Sequence, residues 1–341
     1  MPQVIPMGKL QPEGIEHLGE NFLKLIERHE SLRTSFHMVD DAPMQKCHPA
    51  ADVRFQFETL NIDSPGHLQD AVSRFVRPFE LDRFPLMRAG LIITPSQYPN
   101  DFIIVDMHHI ISDGISIGLL SGDFKALLRG ETLPPLPVQY KDYAVWQTHP
   151  ERGEFLARQE QFWLDLLEGD IPVMDLPVDY PRPERRSFAG NSVRFGLGGM
   201  GRRLRQLARD TDTTLFNVFL SIYSVFLSRL TGQEELVVGV PVANRRHADL
   251  QPLIGMFVNT LALRNYPTGQ KSFRDFLEDV STRTIEAFEH QEYPFDRLVE
   301  KLDIRRDAGH AALIDAIFSF QNLDIPDVEM EDLTLMPYAY R

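Results

Sequence analysis

The chain has 341 residues, 43% of them hydrophobic, and a formal net charge of −14 at neutral pH. That charge argues against a nucleic-acid binder, since phosphate contacts are made mainly by Lys and Arg, and the length favours more than one lobe around a sizeable core. The single cysteine, Cys47, excludes an internal disulfide and fits a reducing compartment; no apolar run reaches membrane-spanning length and no charged-then-apolar signal opens the chain, so a cytoplasmic location without a membrane partner is expected.

Taken in chain order, Ile15, Leu18, Phe22, Leu25 and Ile26 recur at helical spacing and predict a first helix. Val53, Phe55 and Phe57 alternate with Arg54 and Gln56, the pattern of a half-buried strand. Phe79 and Leu81 lead through 85–93 into another strand. Phe102-Ile103-Ile104-Val105 is short, continuous and β-branched, a buried strand. It ends in Met107-His108-His109-Ile110-Ile111-Ser112-Asp113-Gly114. Beyond it Ile117, Leu120, Phe124, Leu127 and Leu128 share one helical face, and Gly130 stops that helix. A helix over 154–167 closes the first half. Residues 171–186 hold Pro172, Pro177, Pro181 and Pro183, an extended connection without regular hydrogen bonding. The second half reads as a strand over 192–197, helices over 202–208 and 214–230, and a strand over 236–242. Asn217, Ser221, Ser224 and Arg229 interrupt the longest apolar stretch, which marks a buried helix. The pattern divides the chain into an N-terminal lobe (1–170), a Pro-rich linker (171–190) and a C-terminal lobe (191–341), both lobes mixing helix and strand.

The octet 107–114 is the candidate for chemistry. A strand–turn–helix junction presents side chains at the edge of a rigid core, and histidine is the side chain most easily set to take or hold a proton near neutral pH. Neighbouring strand residues point to opposite faces, so at most one of His108 and His109 faces a given substrate. The plainer alternative is a buried, hydrogen-bonded pair. Adjacent histidines on a strand do not converge on one ion, and no Cys/His/Glu cluster at ligand spacing lies nearby, so no metal is expected.

The octet resembles the His-His-x-x-x-Asp-Gly motif of the condensation domains of nonribosomal peptide synthetases, in the wider superfamily of chloramphenicol acetyltransferase. Four further segments are similar to that family's core motifs, in order. They are Arg28-His29-Glu30-Ser31-Leu32-Arg33-Thr34-Ser35-Phe36, then Tyr140-Lys141-Asp142-Tyr143-Ala144-Val145-Trp146-Gln147, then Ile254-Gly255-Met256-Phe257-Val258-Asn259-Thr260, and finally His290-Gln291-Glu292-Tyr293-Pro294-Phe295-Asp296. The departures lie at the ends. The aromatic-rich first motif is absent, and the seventh is degraded, with Gly309-His310-Ala311-Ala312-Leu313-Ile314 after Arg306-Asp307; the pattern resumes at Asp315 and runs through Phe318-Ser319-Phe320 to Asn322. The sequence therefore reads as a condensation-domain core truncated at both ends, lacking its first strand region and final segment.

The resemblance implies an α/β (α+β two-layer) fold of two chloramphenicol-acetyltransferase-like lobes forming a V-shaped pseudo-dimer. It implies amide-bond formation between a donor aminoacyl or peptidyl thioester and the α-amine of an acceptor aminoacyl thioester. Both substrates ride on phosphopantetheine arms of upstream and downstream peptidyl carrier domains, with an adenylation domain in the same synthetase and no cofactor bound directly. His109 is the catalytic candidate, and two roles are open to it: removing the amine proton, or orienting the amine and stabilising the cationic tetrahedral species. His108, Asp113, Gly114, Arg28 and Arg33 are expected to support the motif. Asp113 either orients His109 or, as preferred, pairs with Arg28 or Arg33; Gly114 is expected to allow a backbone geometry or close approach that a Cβ would obstruct. Asn259 and Ser112 are candidates to line the substrate channel, while His29, His290 and Trp146 are expected to pack. The alternatives are an inactive fragment or recruitment platform, an epimerisation domain, or a free-standing acyltransferase using coenzyme A. Ile115-Ser116-Ile117-Gly118 in place of a Trp-Arg pair disfavours epimerisation, and His108 with His109 excludes heterocyclisation. The Ile-Ser-Asp-Gly-Ile-Ser wording is closer to domains that accept an L-configured donor.

Overall fold

A computed structural model describes residues 2–10, 12–180, 190–302 and 313–321. The chain forms two compact units. The first comprises the chain up to His149 together with Arg245–Phe257, and the second comprises Pro150–Asn244 and the described residues from Val258 onward.

The first unit is built on a four-stranded sheet. Its strands are β1 (Pro2–Gly8), β4 (Glu58–Asn61), β5 (Met87–Ile93) and β6 (Asn100–Met107), in the order β1-β6-β5-β4. A separate hairpin is formed by β2 (Thr34–Val39) and β3 (Ala42–Cys47), and the helices are α1 (Pro12–Arg28), α2 (Leu68–Phe75), α3 (Gly114–Leu128) and α4 (Tyr140–Gln147). β1 pairs antiparallel with β6 from Pro2 opposite Asp106 to Gly8 opposite Asn100. The sequence pattern predicts no strand there. Pro2 and Pro6 break the usual strand signature, and both lack an N–H, which an edge strand tolerates. The outer edge of β6 is thus paired. One face of the sheet packs on α1 and α3, with Leu18, Phe22, Leu25 and Ile26 meeting Leu91, Ile103, Val105 and Phe124. The other packs on α2, with Ala71, Val72 and Phe75 against Ile92 and Ile104.

The strand expected at Val53–Phe57 is not one. Val53, Phe55 and Phe57 do turn onto the core beside Phe22, but ladder pairing starts only at Glu58, opposite Gly90. Alternation marks which side chains face inward, and a strand also needs a neighbour to bond.

The second unit holds α5 (Gly153–Leu166), α6 (Met200–Asp210), α7 (Leu215–Thr231), β7 (Leu236–Val242), β8 (Asn259–Asn265), α8 (Phe273–Glu289) and α9 (Phe295–Lys301). β7 and β8 pair antiparallel, and Ile317 bridges β7 at Gly239 in parallel. Two boundaries move relative to the sequence expectation. The helix at 154–167, expected in the N-terminal lobe, belongs here, because Trp163 and Leu167 are buried among Val238, Leu261 and Leu263. Part of the expected linker also packs here, with Met174 in the same core; 181–189 lie outside the described residues. No strand forms at 192–197 either: Val193 and Phe195 are 89% and 82% exposed. Of the seventh motif, 303–312 and Asn322 lie outside the described residues. Among the described residues no single helix is long and apolar enough to cross a membrane.

Candidate active site

The octet folds as read, a strand running into a tight turn and then a helix. β6 ends at Met107, a single 3-10 turn follows over His109–Ile111, and α3 begins at Gly114. The two histidines part company in that turn. His108 lies half-buried, its N–H donating to Leu86 O at 3.0 Å, and its Nδ1 accepts the Ile110 N–H at 3.0 Å. An accepting Nδ1 carries no proton, so the neutral ring holds its proton on Nε2. Burial is the largest influence on His108 and lowers its pKa, which favours that neutral form. His109 is exposed, and among the described residues its ring has no hydrogen-bond partner. Its backbone is fixed all the same, since Ser112 N–H donates to His109 O at 3.2 Å.

Asp113 has the opposite surroundings. It caps α3, with Oδ1 accepting from Ser116 N–H at 2.8 Å and from Ser116 Oγ at 2.7 Å. The same carboxylate meets Arg245 Nη2 at 3.1 and 3.2 Å, and Oδ2 accepts the Phe257 N–H at 3.2 Å. The side chains of Asp113 and Arg245 are 0% and 1% exposed. Arg245 Nη1 donates to Leu250 O and Leu253 O, and its guanidinium lies 4.0 Å over the Phe257 ring. Burial pulls the Arg245 pKa down, and the carboxylate opposes that pull. Ser116 Oγ also contacts Gly255 on both its N–H (3.1 Å) and its carbonyl (3.0 Å). Tyr140 completes the attachment, donating from its hydroxyl to Met256 O at 2.7 Å. At Gly255 a Cβ would fall inside the Tyr140 ring, so only glycine fits there. The segment Arg245–Phe257, far away in sequence, is thereby tied to the His-His turn.

The chain matches known proteins along nearly all of its own length. A family model described as "Condensation domain" matches residues 8–341. Tyrocidine synthase 3 of Brevibacillus parabrevis is 46% identical over 334 residues, covering 97% of this chain and 5% of the relative. The chain belongs to the condensation-domain family. Gramicidin S synthase 2 of Brevibacillus brevis is 41% identical over 340 residues, covering 99% of this domain and 8% of the relative. This condensation domain therefore spans only 5% and 8% of those two relatives' lengths. Among solved structures, a four-domain nonribosomal peptide synthetase bound to AMP and glycine aligns over all of this domain and 27% of its own chain, at TM-score 0.85 and 24% identity. The X-domain from teicoplanin biosynthesis aligns over 93% of this domain and 72% of its own chain, at TM-score 0.81 and 23% identity. These two likenesses establish the two-lobe α/β fold.

Several supporting residues sit differently from expectation. Neither Arg28 nor Arg33 is the partner of Asp113. Arg28 bonds Asp123 at 3.0 Å and reaches Pro134 O, while Arg33 lies 3.4 Å from Glu30 and bonds His48 O. The partner is Arg245, 132 residues downstream of Asp113. Nothing in the local wording around residue 245 signals this. Gly114 is exposed, its φ is not positive, and a Cβ there would meet nothing within 4 Å, so neither steric reason for a glycine applies. Ser112 is fully buried beside His108 O and lines no open channel. Asn259 spends its amide internally: Nδ2 donates to Gln291 O and Tyr293 O, and Oδ1 accepts the Phe295 N–H, tying β8 to the turn before α9. His29 bonds Asp123 at 2.9 Å, and His290 stacks on Phe162 with ring centres 3.9 Å apart, so both pack as expected. Trp146 is no core residue. It is 36% exposed and stands edge-to-face with His247.

Proposed function

We propose that this domain joins a donor aminoacyl or peptidyl thioester to the α-amine of an acceptor aminoacyl thioester, each held on the phosphopantetheine arm of a carrier domain. The observation that carries the reading is the contrast inside the motif. His109 is the member left exposed, its ring without a hydrogen-bond partner among the described residues, while Asp113 is sealed into the fold. The short share of each relative that the domain covers, and the synthase names of those relatives, support substrates delivered by other parts of a longer polypeptide.

In this reaction the acceptor nitrogen attacks the thioester carbonyl, a C–N bond forms, the C–S bond breaks, and the amine proton ends on the departing thiolate. A thioester is already activated and an α-amine has an ordinary pKa of about 7.7–8.0, so a useful fraction of the nucleophile is neutral without help. Proximity contributes most: two tethered reactants held in near-attack geometry gain about 7–11 kcal/mol over free encounter. His109 contributes less, accepting or holding the amine proton, which accelerates such a step by about 10²–10⁴-fold.

The test is peptide formation between loaded carriers by the full-length polypeptide. His109→Ala should leave the thermal midpoint unchanged and slow the reaction by at least about tenfold. Equal rates in variant and wild type would overturn the assignment.

A further inference from the structure

His109 protrudes from a turn that has only three residues and is held on one side by a side chain rather than by backbone. His108 supplies that side chain: Nδ1 takes the Ile110 N–H, while its carbonyl accepts the Ile111 N–H at 3.2 Å. The ring is itself held. Phe79 stands edge-on to it, with centroids 6.1 Å apart and planes at 87°. Arg88 lies on the Phe79 ring at 3.7 Å. That guanidinium is anchored by Arg77 O at 2.6 Å, Pro78 O at 2.8 Å and the buried Asp106 carboxylate at 3.3 Å. Arg88 thus clamps the irregular segment carrying Phe79 to strands β5 and β6, and the stack ends on the ring that shapes the turn.

We propose that Phe79, backed by Arg88, and His108 are positioning residues for His109. Phe79 and Arg88 fix the plane of the His108 imidazole; its Nδ1 then fixes the turn from which the His109 side chain projects. The inference rests on the reading of His109 as the reacting imidazole. Its energetic sense is that a misplacement of about 1 Å at a reacting group can cost about 10²-fold in rate, whereas one hydrogen bond adds little to global stability. A ring that must accept at Nδ1 works only when neutral, which agrees with the lowered His108 pKa. Among the described residues the charges acting on it are His109, which opposes protonation, and Asp106, which favours it.

Three measurements on the full-length polypeptide test this. Nitrogen NMR of His108 should show an unprotonated, hydrogen-bonded Nδ1; a protonated Nδ1 would overturn the proposal. His108→Leu should lower kcat by about tenfold or more with KM for both carriers unchanged, and His108→Asn, whose Oδ1 can accept the same N–H, should recover most of it. A wild-type kcat for His108→Leu, or an Asn variant as slow as the Leu variant, would sink the role. Phe79→Leu should slow the wild type but add nothing in the His108→Leu background, because it acts through the same ring. Fully additive losses would remove Phe79 from the path. Should His109→Ala retain the full rate, the assignment of His109 falls while the NMR signature stands. If His109→Ala is slow and His108→Leu is not, the positioning role falls alone.

Discussion

His109 and Asp113 stand in one short motif, and the fold treats them as opposites. One imidazole is exposed with no bonded partner among the described residues, while the carboxylate is fully buried and bonded to Ser116, Arg245 and Phe257. The difference separates two kinds of requirement that a motif merges. A reacting group needs an open approach and a free lone pair. A group that fixes architecture needs every lone pair occupied, since an unpaired buried charge is costly. Among the described residues no hydrogen bond joins Asp113 to the His109 ring; its oxygens are taken by Ser116, Arg245 and Phe257.

The comparison is broken most forcefully at Asp113. Asp113→Asn leaves Arg245 buried without its counter-charge, and loss of one partner of such a pair costs about 3–5 kcal/mol. A lower thermal midpoint, with activity falling alongside it, is the expected result. His109→Ala should do the reverse, losing rate at constant midpoint. Replacing both partners, as in Asp113→Asn with Arg245→Met, should recover part of the stability, because no lone charge remains. A stable but inactive Asp113→Asn protein would return the carboxylate to the chemistry.

How much of this was legible beforehand follows the same division. The strand over 102–105, the helix after Gly114 and helix α7 were readable because local periodicity fixes them. The octet and its neighbours, with their spacing, gave the family and pointed to His109. Arg245 was not legible, since the Asp113 pair closes between residues that share no local pattern. Residues 53–57 and 192–197 misled for a related reason. Alternation reports which side chains face inward, and pairing depends on a partner strand elsewhere in the chain. Pro2 and Pro6 hid β1, because an edge position forgives what a central strand would not.

A milder test uses two motif glycines. Gly255→Ala drives a methyl into the Tyr140 ring and disturbs the segment bearing Arg245; overpacking of this kind costs about 1–3 kcal/mol. Gly114→Ala meets nothing within 4 Å and sits at the first position of α3, where replacing glycine stabilises by about 0.4–1 kcal/mol when the backbone permits. Chemical unfolding of the two variants should therefore move in opposite directions. A destabilised Gly114→Ala would mean that its backbone is needed in a geometry alanine resists.

The smallest effect is one of pH and belongs to His29. This ring is 1% exposed, bonds Asp123 through Nε2, and has its pKa lowered below the usual 6.5, burial outweighing the help of the carboxylate. A folded-state pKa below the unfolded one means that the unfolded chain takes up its proton first as the pH falls. The contribution of His29 to stability is then complete above about pH 6.5 and is lost progressively below it, down through the folded pKa. Asp123, also lowered, adds a separate loss that begins only below the usual carboxylate value of 3.8. Denaturant unfolding between about pH 8 and pH 5 should show stability declining below 6.5, with a shallower decline in His29→Gln, whose amide can still donate to Asp123. His48 and His108 are lowered as well and act in the same direction, so the slope should shrink without vanishing. Parallel curves for variant and wild type would show that His29 takes up its proton as readily when folded as when unfolded, and that Asp123, rather than burial, governs it.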